Sequence, residues 1–331
     1  MKRISLYLTP LGILLLLAGC AGRQTFLVPA SPVAAEEASL YQVIFYMALG
    51  VFILVWGLLI YNILRFHRRR NQTGEPRQKY GNWRLEFVWT AIPVLLVLIL
   101  FVLTVRTIIA VAAPKSQPTD INVHIIGHQW WWEFDYPDLG VVTANELHIP
   151  TGANVHVSLD SVDVIHSFWA PELSHKMDVI PGQTNHLWFE VDRAGTYTGQ
   201  CAEFCGLNHA NMRIRVIADS PADFDTWVKD QQAAAYQPAT PDEQKALDLI
   251  TKGICSNCHT LGDNQAVNPI GPDLTHLASR TSFAGDMYDL NPENLRSWLT
   301  DPQAMKPGND MVVNLTPDQV NILVDFLMKL K

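Results

Sequence analysis

Residues 198–212 read Thr-Gly-Gln-Cys-Ala-Glu-Phe-Cys-Gly-Leu-Asn-His-Ala-Asn-Met and decide the architecture of the chain's middle third. Two thiols, Cys201 and Cys205, are followed by an imidazole at His209 and a thioether at Met212. Thiolate, imidazole and thioether ligands together favour copper over hard metal ions. A mononuclear copper site uses one cysteine, whereas two cysteines on one short loop can bridge a pair of copper ions. The spacing therefore predicts a copper site on this loop.

Two cysteines at this spacing in an exported protein can instead form a disulfide. A disulfide gives no reason for an imidazole and a thioether at ligand spacing, so we favour copper. Each ion of a bridged pair needs its own imidazole. His166, in Asp-Val-Ile-His-Ser-Phe-Trp at 163–169, is the candidate for the second one.

Short β-branched stretches surround this loop. They are Ile121–Ile126, Asn154–Leu159, His186–Val191, Thr196–Gly199 and Met212–Ile217. Turn residues such as Pro181-Gly182 and Ala194-Gly195 separate them, a pattern typical of an antiparallel β-sandwich or barrel. We predict one all-β domain over residues 113–218 and a linker over 219–239, where prolines recur.

A second cysteine pair lies in Cys-Ser-Asn-Cys-His at 255–259, the attachment motif of a c-type haem. In that motif Cys255 and Cys258 form thioether bonds to the haem and His259 ligates the iron. Helical patterns at Asp242–Ile254, Pro292–Thr300 and Val320–Leu330 predict a small all-α domain over residues 240–331. A structural disulfide between the two cysteines is the alternative.

The N-terminal 19 residues have the features of an export signal. Lys2 and Arg3 precede an apolar run, and Leu-Ala-Gly-Cys at 17–20 resembles a bacterial lipobox. We expect residues 1–19 to be a lipoprotein signal peptide and Cys20 to carry a lipid anchor. A signal peptide with an incidental cysteine is the alternative, and both interpretations imply export.

Two apolar segments follow within residues 20–112. Leu40–Leu64 has 25 residues without a charged side chain and Phe87–Val105 has 19, and each can cross a hydrocarbon core. We predict transmembrane helices over about 40–64 and 87–112. Seven Lys and Arg side chains within residues 62–86 place the connecting loop in the cytoplasm, so both termini lie outside a bacterial cell membrane. A buried hairpin in a soluble protein is the alternative, which the basic loop disfavours.

The composition agrees with a membrane-anchored chain. Hydrophobic residues make up 48% of it and charged residues only 17%, against about 25% in soluble domains. This hydrophobicity excludes a disordered protein. The net charge of −8 argues against nucleic acid as a partner.

Residues 20–217 resemble subunit II of a bacterial cytochrome c oxidase. The shared features are the copper loop, residues 163–169, Gly-His-Gln-Trp-Trp-Trp at 127–132 and the paired membrane helices. The resemblance implies a cupredoxin-like sandwich that holds a dinuclear copper centre, CuA. Its ligands would be the bridging thiolates of Cys201 and Cys205, the imidazoles of His166 and His209, the weak ligand Met212 and the backbone carbonyl of Glu203.

The resemblance also implies roles for three further side chains. The Glu203 carboxylate would reach a magnesium ion shared with subunit I. Trp130 would be the electron-entry residue on the face where a cytochrome docks. Glu86 would lie at the cytoplasmic mouth of a proton path in subunit I.

Residues 240–331 resemble a class I cytochrome c fused to subunit II, the arrangement of caa-type oxidases. Lys-Pro-Gly-Asn-Asp-Met at 306–311 resembles the loop that supplies the sixth iron ligand, which implies Met311. The family usually has proline after this methionine, and here it is Val312. Met305 also qualifies by its position after helix Pro292–Thr300, whereas Met287 precedes that helix.

The resemblance implies the electron-entry subunit of a proton-translocating haem-copper oxidase in membrane lipid. A cytochrome c or another one-electron donor would reduce the haem c, which would reduce CuA. The electron would then pass to subunit I, where dioxygen is reduced, and other oxidase subunits would complete the complex. Two alternatives remain: the donor subunit of a nitric-oxide-reducing haem-copper enzyme, and a non-redox copper-delivery or assembly lipoprotein, which would have incomplete ligand sets. A quinol oxidase is disfavoured because its subunit II lacks the copper ligands.

Overall fold

The computed structural model describes residues 24–66, 78, 80–112 and 120–331. The predicted signal peptide at 1–19, the lipid anchor at Cys20 and the loop residues 67–77 and 79 lie outside the described residues.

Two long helices begin the described chain, α1 (Pro32–Phe66) and α2 (Trp83–Ala110). Both are long and apolar enough to cross a membrane, and their most apolar stretches are not buried against any other part of the chain that the structure describes. Each begins earlier than predicted. Val33, Ala34 and Ala38 of α1 are buried, and this first part of the helix contacts the β-domain. Helix α2 begins at its N-cap Asn82, whose side chain accepts the N–H groups of the next turn.

Ten strands form the middle domain. They are β1 (Ile121–His128), β2 (Trp131–Tyr136), β3 (Val141–Ala144), β4 (Glu146–Pro150), β5 (Asn154–Ser161), β6 (His166–Trp169), β7 (Met177–Val179), β8 (Asn185–Glu190), β9 (Gly195–Cys201) and β10 (Arg213–Asp219). One sheet has the order β3-β2-β1-β5-β8 and the other β4-β10-β9-β6-β7. The predicted antiparallel sandwich is wrong in one respect, because β1 pairs parallel with β5 and β4 pairs parallel with β10.

The sandwich core lies between the two sheets. Strand β5 alternates half-buried and buried residues along its whole length, as a strand with one face on a core does. Phe134, Leu159, Phe168 and Phe189 are among the fully enclosed side chains that fill the interior. Strands β6 and β9 are neighbours in this packed structure, with Phe168 opposite Cys201, so the ends of both strands are held rigidly.

The stretch predicted as a linker, 219–239, contains a helix, α3 (Pro221–Gln231). Pro221, which favours a turn in the sequence, occupies the first helical position, where its missing N–H costs nothing. The Ser220 side chain caps the helix by accepting the N–H of Asp223, and Phe224 and Val228 are buried. This helix therefore belongs to the packed part of the chain, and the irregular connection is limited to the residues after it.

The C-terminal domain is helical around a small hairpin. Its elements are α4 (Pro241–Thr251), β11 (Ser282–Phe283), β12 (Tyr288–Asp289), α5 (Pro292–Thr300), α6 (Pro302–Met305) and α7 (Pro317–Leu327), with short 3₁₀ helices at Ile254–Asn257 and Leu277–Ser279. Helices α4 and α5 both pack on α7. A capping box begins α7, because the side chains of Thr316 and Gln319 each accept the other's backbone N–H.

Candidate copper and haem sites

The copper-type residues converge at one end of the sandwich. His166 begins β6 and Cys201 ends the neighbouring β9. The loop after β9 carries Cys205 and a short 3₁₀ helix, His209–Asn211, and returns at Met212, whose carbonyl accepts the N–H of Cys201. The hydrogen-bonded ends of the loop thus hold it closed.

Five atoms of these residues form a compact cluster. The Sγ atoms of Cys201 and Cys205 lie 3.7 Å apart. Nδ1 of His166 lies 3.9 Å from Sγ of Cys201, and Nδ1 of His209 lies 3.7 Å from Sγ of Cys205. The Met212 Sδ lies 3.9 Å from Sγ of Cys205. Each thiol therefore has one imidazole beside it, and the carbonyl oxygen of Glu203 lies 3.2 Å from Sγ of Cys201.

Asp163 orients the buried imidazole. Its Oδ1 lies 2.8 Å from Nε2 of His166, and this contact directs the other ring nitrogen towards the thiols. Burial is the largest single influence and opposes the charge of His166, but the hydrogen bonds and charges of Asp163 and Cys201 together outweigh it and raise the imidazole pKa. Burial likewise opposes the charge of Asp163, and the bonds from His166 and from the N–H groups of Val164 and Gln129 lower its pKa. The sequence-based predictions include no role for Asp163. Its position three residues before His166 was the feature that could have indicated one.

The contact between the two thiols moves their pKa values in opposite directions. The hydrogen bond with Cys205 lowers the pKa of Cys201 to about 3, and the same contact raises the pKa of Cys205. The four cysteines in the described part of the chain are free thiols. Two sulfurs at van der Waals distance, flanked by oriented imidazoles and a buried thioether, fit soft copper ions.

The Cys-x2-Cys-His motif lies in the wall of a separate, largely apolar cavity of about 390 Å³. Cys255, Cys258 and His259 line it together with Met311 and with side chains of helices α4, α5 and α7. Met287 and Met305 are not among its lining residues. The cavity therefore brings the haem-attachment motif together with the methionine that the sequence favoured.

The surroundings of His259 fix the tautomer of its imidazole and favour the neutral ring. Its Nδ1 lies 2.7 Å from the carbonyl oxygen of Pro272, which can only accept, so Nδ1 carries the proton and Nε2 is free. Burial lowers the pKa of His259, which favours the neutral ring that binds a metal. A Cβ at Gly271 would lie 2.5 Å from Cε1 of His259, so only glycine permits this approach. On Met311, the Sδ accepts a hydrogen bond of 3.1 Å from Nε1 of Trp298.

The copper cluster and the haem cavity meet at two neighbouring residues, Gln129 and Trp130. Trp130 lines the cavity, and its Nε1 donates to the carbonyl oxygen of Cys205 at 2.9 Å. The amide of Gln129 donates to the same oxygen at 2.7 Å. Two neighbouring side chains thus attach the copper loop to the segment that faces the cavity.

Three known protein families cover most of the chain. The transmembrane domain of cytochrome c oxidase subunit II matches residues 20–107, its periplasmic domain matches 140–219, and cytochrome c matches 244–331. Cytochrome c oxidase subunit 2 of Alkalihalophilus pseudofirmus is 34% identical over 97% of this chain and 96% of that protein. The Bacillus subtilis protein of the same name is 33% identical over 96% of this chain and 95% of its own length.

The chain belongs to the cytochrome c oxidase subunit 2 family. It is therefore a membrane-anchored subunit of an oxidoreductase, with a CuA-type domain and a cytochrome c domain in one polypeptide. The predicted fold class is confirmed: two apolar helices, a cupredoxin-like sandwich and a helical cytochrome domain. The periplasmic domain of subunit II from Bradyrhizobium japonicum is a solved relative, 30% identical, with a TM-score of 0.34 over 35% of this chain and 96% of that one.

The two carboxylates to which this subunit 2 resemblance gives roles outside the copper ligand set are both exposed. Glu203 is exposed on the copper loop, beside the exposed Phe204. Glu86 is in the first turn of α2, and its Oε1 accepts the backbone N–H of Asn82 at 3.2 Å. That contact gives Glu86 a part in starting the helix, in addition to any proton role.

Proposed function

We propose that this subunit binds a haem c and a dinuclear CuA centre and passes electrons from the haem to the copper on their way to subunit I. The observation that carries the proposal is the position of Trp130. Trp130 lines the cavity that holds the Cys-x2-Cys-His motif, and its indole N–H donates to the backbone carbonyl of Cys205. One residue therefore contacts both sites.

In this proposal the copper ligands are the six that the sequence indicates. Cys201, Cys205, His166 and His209 would hold the copper ions, and Met212 and the Glu203 carbonyl would complete the set. When bound, the haem and the copper pair supply one-electron transfer. The protein holds the copper ligands on packed strands and a closed loop, so that they move little when the charge of the site changes.

The haem ligands are the side chains that share the cavity wall. Cys255 and Cys258 would form the thioethers, and His259 and Met311 would ligate the iron. Trp298 holds the Met311 thioether in place through its indole N–H. We further propose a magnesium contact through Glu203, a proton-path role for Glu86, a lipid anchor at Cys20, and placement of both termini outside the bacterial cell membrane.

Cysteine variants separate the two sites. In the purified oxidase complex, Cys201→Ser should remove the copper signal and stop oxygen uptake driven by reduced cytochrome c, while covalent haem staining persists. The reciprocal double variant, Cys255→Ser with Cys258→Ser, should lose haem staining and keep two copper ions. Two coppers per chain and full oxygen uptake in Cys201→Ser would overturn the copper assignment.

The gas consumed by the complex tests the remaining alternatives. Oxygen uptake with reduced cytochrome c supports the oxidase. Nitric oxide consumption without oxygen uptake would support the donor subunit of a nitric-oxide-reducing enzyme. A chain that is isolated without either metal centre would support the copper-delivery alternative.

A further inference from the structure

The segment Lys306-Pro307-Gly308, just before Met311, lies directly on the copper domain. The ammonium of Lys306 donates to the carbonyl oxygen of Trp130 at 2.8 Å and to that of Ala284, in its own domain, at 2.9 Å. The carbonyl oxygen of Pro307 accepts the side-chain amide of Asn208 at 2.8 Å. Lys306 and Pro307, a few residues before Met311, thus contact a surface made by the copper loop and Trp130.

The junction is closely packed. Lys306 is 3% exposed and Asn208 is 2% exposed, so both contacts are shielded from water. There is no room for a side chain at Gly285, since a Cβ there would lie 2.8 Å from Nζ of Lys306 and 2.7 Å from the carbonyl oxygen of Asn211. The carbonyl oxygen of Gly285 in turn accepts the N–H of Arg213, which begins β10.

Burying an ammonium group between two segments is energetically unfavourable. Burial lowers the pKa of Lys306 to about 7, which shows how strongly the site disfavours the charge. An apolar side chain at this position would avoid that cost. The ammonium provides what an apolar side chain lacks, namely directed donors that hold one carbonyl of each domain at a fixed separation.

We propose that Lys306 is a positioning residue that fixes the cytochrome domain against Trp130 for electron transfer to the copper. This inference rests on the proposed function. In the step concerned, one electron leaves the haem iron and the copper pair gains it. Lys306 contacts neither set of ligands, and acts through the backbone of Trp130 and through the segment that leads to Met311.

The test measures the internal electron transfer apart from the two sites. In the complete complex, the haem is reduced by a light-activated reductant and its reoxidation by copper is followed by absorbance. Lys306→Met keeps the apolar stem and removes the donors. We expect haem reoxidation to slow by about tenfold or more, the change in a docking equilibrium that follows loss of a hydrogen bond to a charged donor.

The controls distinguish positioning from loss of the fold. Three measurements should stay at wild-type levels in Lys306→Met. They are reduction of the haem by the external reductant, the absorption band of the bond between the Met311 sulfur and the haem iron, and the copper content. Lys252→Met removes an exposed lysine of the same domain and should leave the rate unchanged. Gly285→Ala, which crowds the same junction, should slow the step as Lys306→Met does.

Two results would overturn the inference. One is an unchanged rate of haem reoxidation in Lys306→Met. The other is a slower rate that appears only together with loss of the absorption band between the Met311 sulfur and the haem iron. That result would assign Lys306 to the folding of the loop that carries Met311. Failure of the proposed function is recognised independently, since the wild-type complex would then lack copper or haem.

Discussion

Replacing Glu146 by alanine should release the cytochrome domain from the copper domain while both stay folded. Glu146 begins β4 and is 1% exposed. Its carboxylate accepts the backbone N–H and hydroxyl of both Thr281 and Ser282, at distances between 2.6 and 3.1 Å. These bonds join the sandwich to the β11–β12 hairpin of the cytochrome domain.

The magnitude follows from which donors lose every partner. Thr281 is exposed, so water can replace the carboxylate there, and the Ser282 hydroxyl can turn to Asp286. The Ser282 N–H is buried and is left unpaired if the domains stay together. An unsatisfied buried donor costs about 1–3 kcal/mol, which changes the docking equilibrium by roughly 5- to 150-fold.

Amide hydrogen exchange measures this change directly. The Ser282 amide should exchange faster by the same factor in Glu146→Ala, while amides in the core of α7 keep their protection. Asp289→Ala removes an exposed carboxylate from the same hairpin and should leave the Ser282 amide as it is in the wild type. Unchanged exchange at Ser282, or a general loss of protection across α7, would refute the reasoning.

Three other predictions address single side chains. Met311→Ala should remove the sulfur-to-iron absorption band and lower the haem reduction potential, because a thioether favours ferrous iron. Met305→Ala should change neither. The opposite pattern would contradict the ligand assignment. Lys329 holds the pKa of Glu243 at about 2 instead of its usual 4.5, so the stabilisation is complete above pH 4.5 and is lost as the pH falls through 2. Glu243→Gln should therefore flatten this part of the acid-unfolding curve followed by circular dichroism, and an unaltered curve would show that the ion pair contributes nothing. Glu86→Gln keeps an oxygen that can accept the Asn82 N–H, so we expect the helix to form and turnover to slow with unchanged spectra, because the proton-binding carboxylate is lost. Wild-type turnover would leave Glu86 as a residue that only helps to start the helix.

The ligand spacings could be predicted from the sequence because each set is local. Cys201 to Met212 span a single loop, and Cys255 to His259 a single motif, so residue type and spacing carry the chemistry. His166 could be proposed because each copper of a pair needs an imidazole. The helices α5 and α7 were predictable for the same reason, since their caps lie within a few residues of their apolar positions.

The contacts between domains could not be predicted. Glu146 meets Thr281 and Ser282 across more than 130 residues, and Lys306 meets Trp130 across 176. No local pattern marks such partners, because a buried charge and an exposed one look alike in a sequence. The parallel pairing of β1 with β5 was missed for a related reason: pairing direction depends on how the chain crosses between sheets, not on the alternation within a strand.

The position of Trp130 has a consequence for how the enzyme is supplied with electrons. Trp130 lies between the copper loop and the chain's own cytochrome domain, so that domain covers this side of the copper loop. In the proposed function, an outside donor would then reduce the haem and not the copper, and every electron would pass through that one haem. The supply rate would depend on a single encounter with an outside partner on the cytochrome domain.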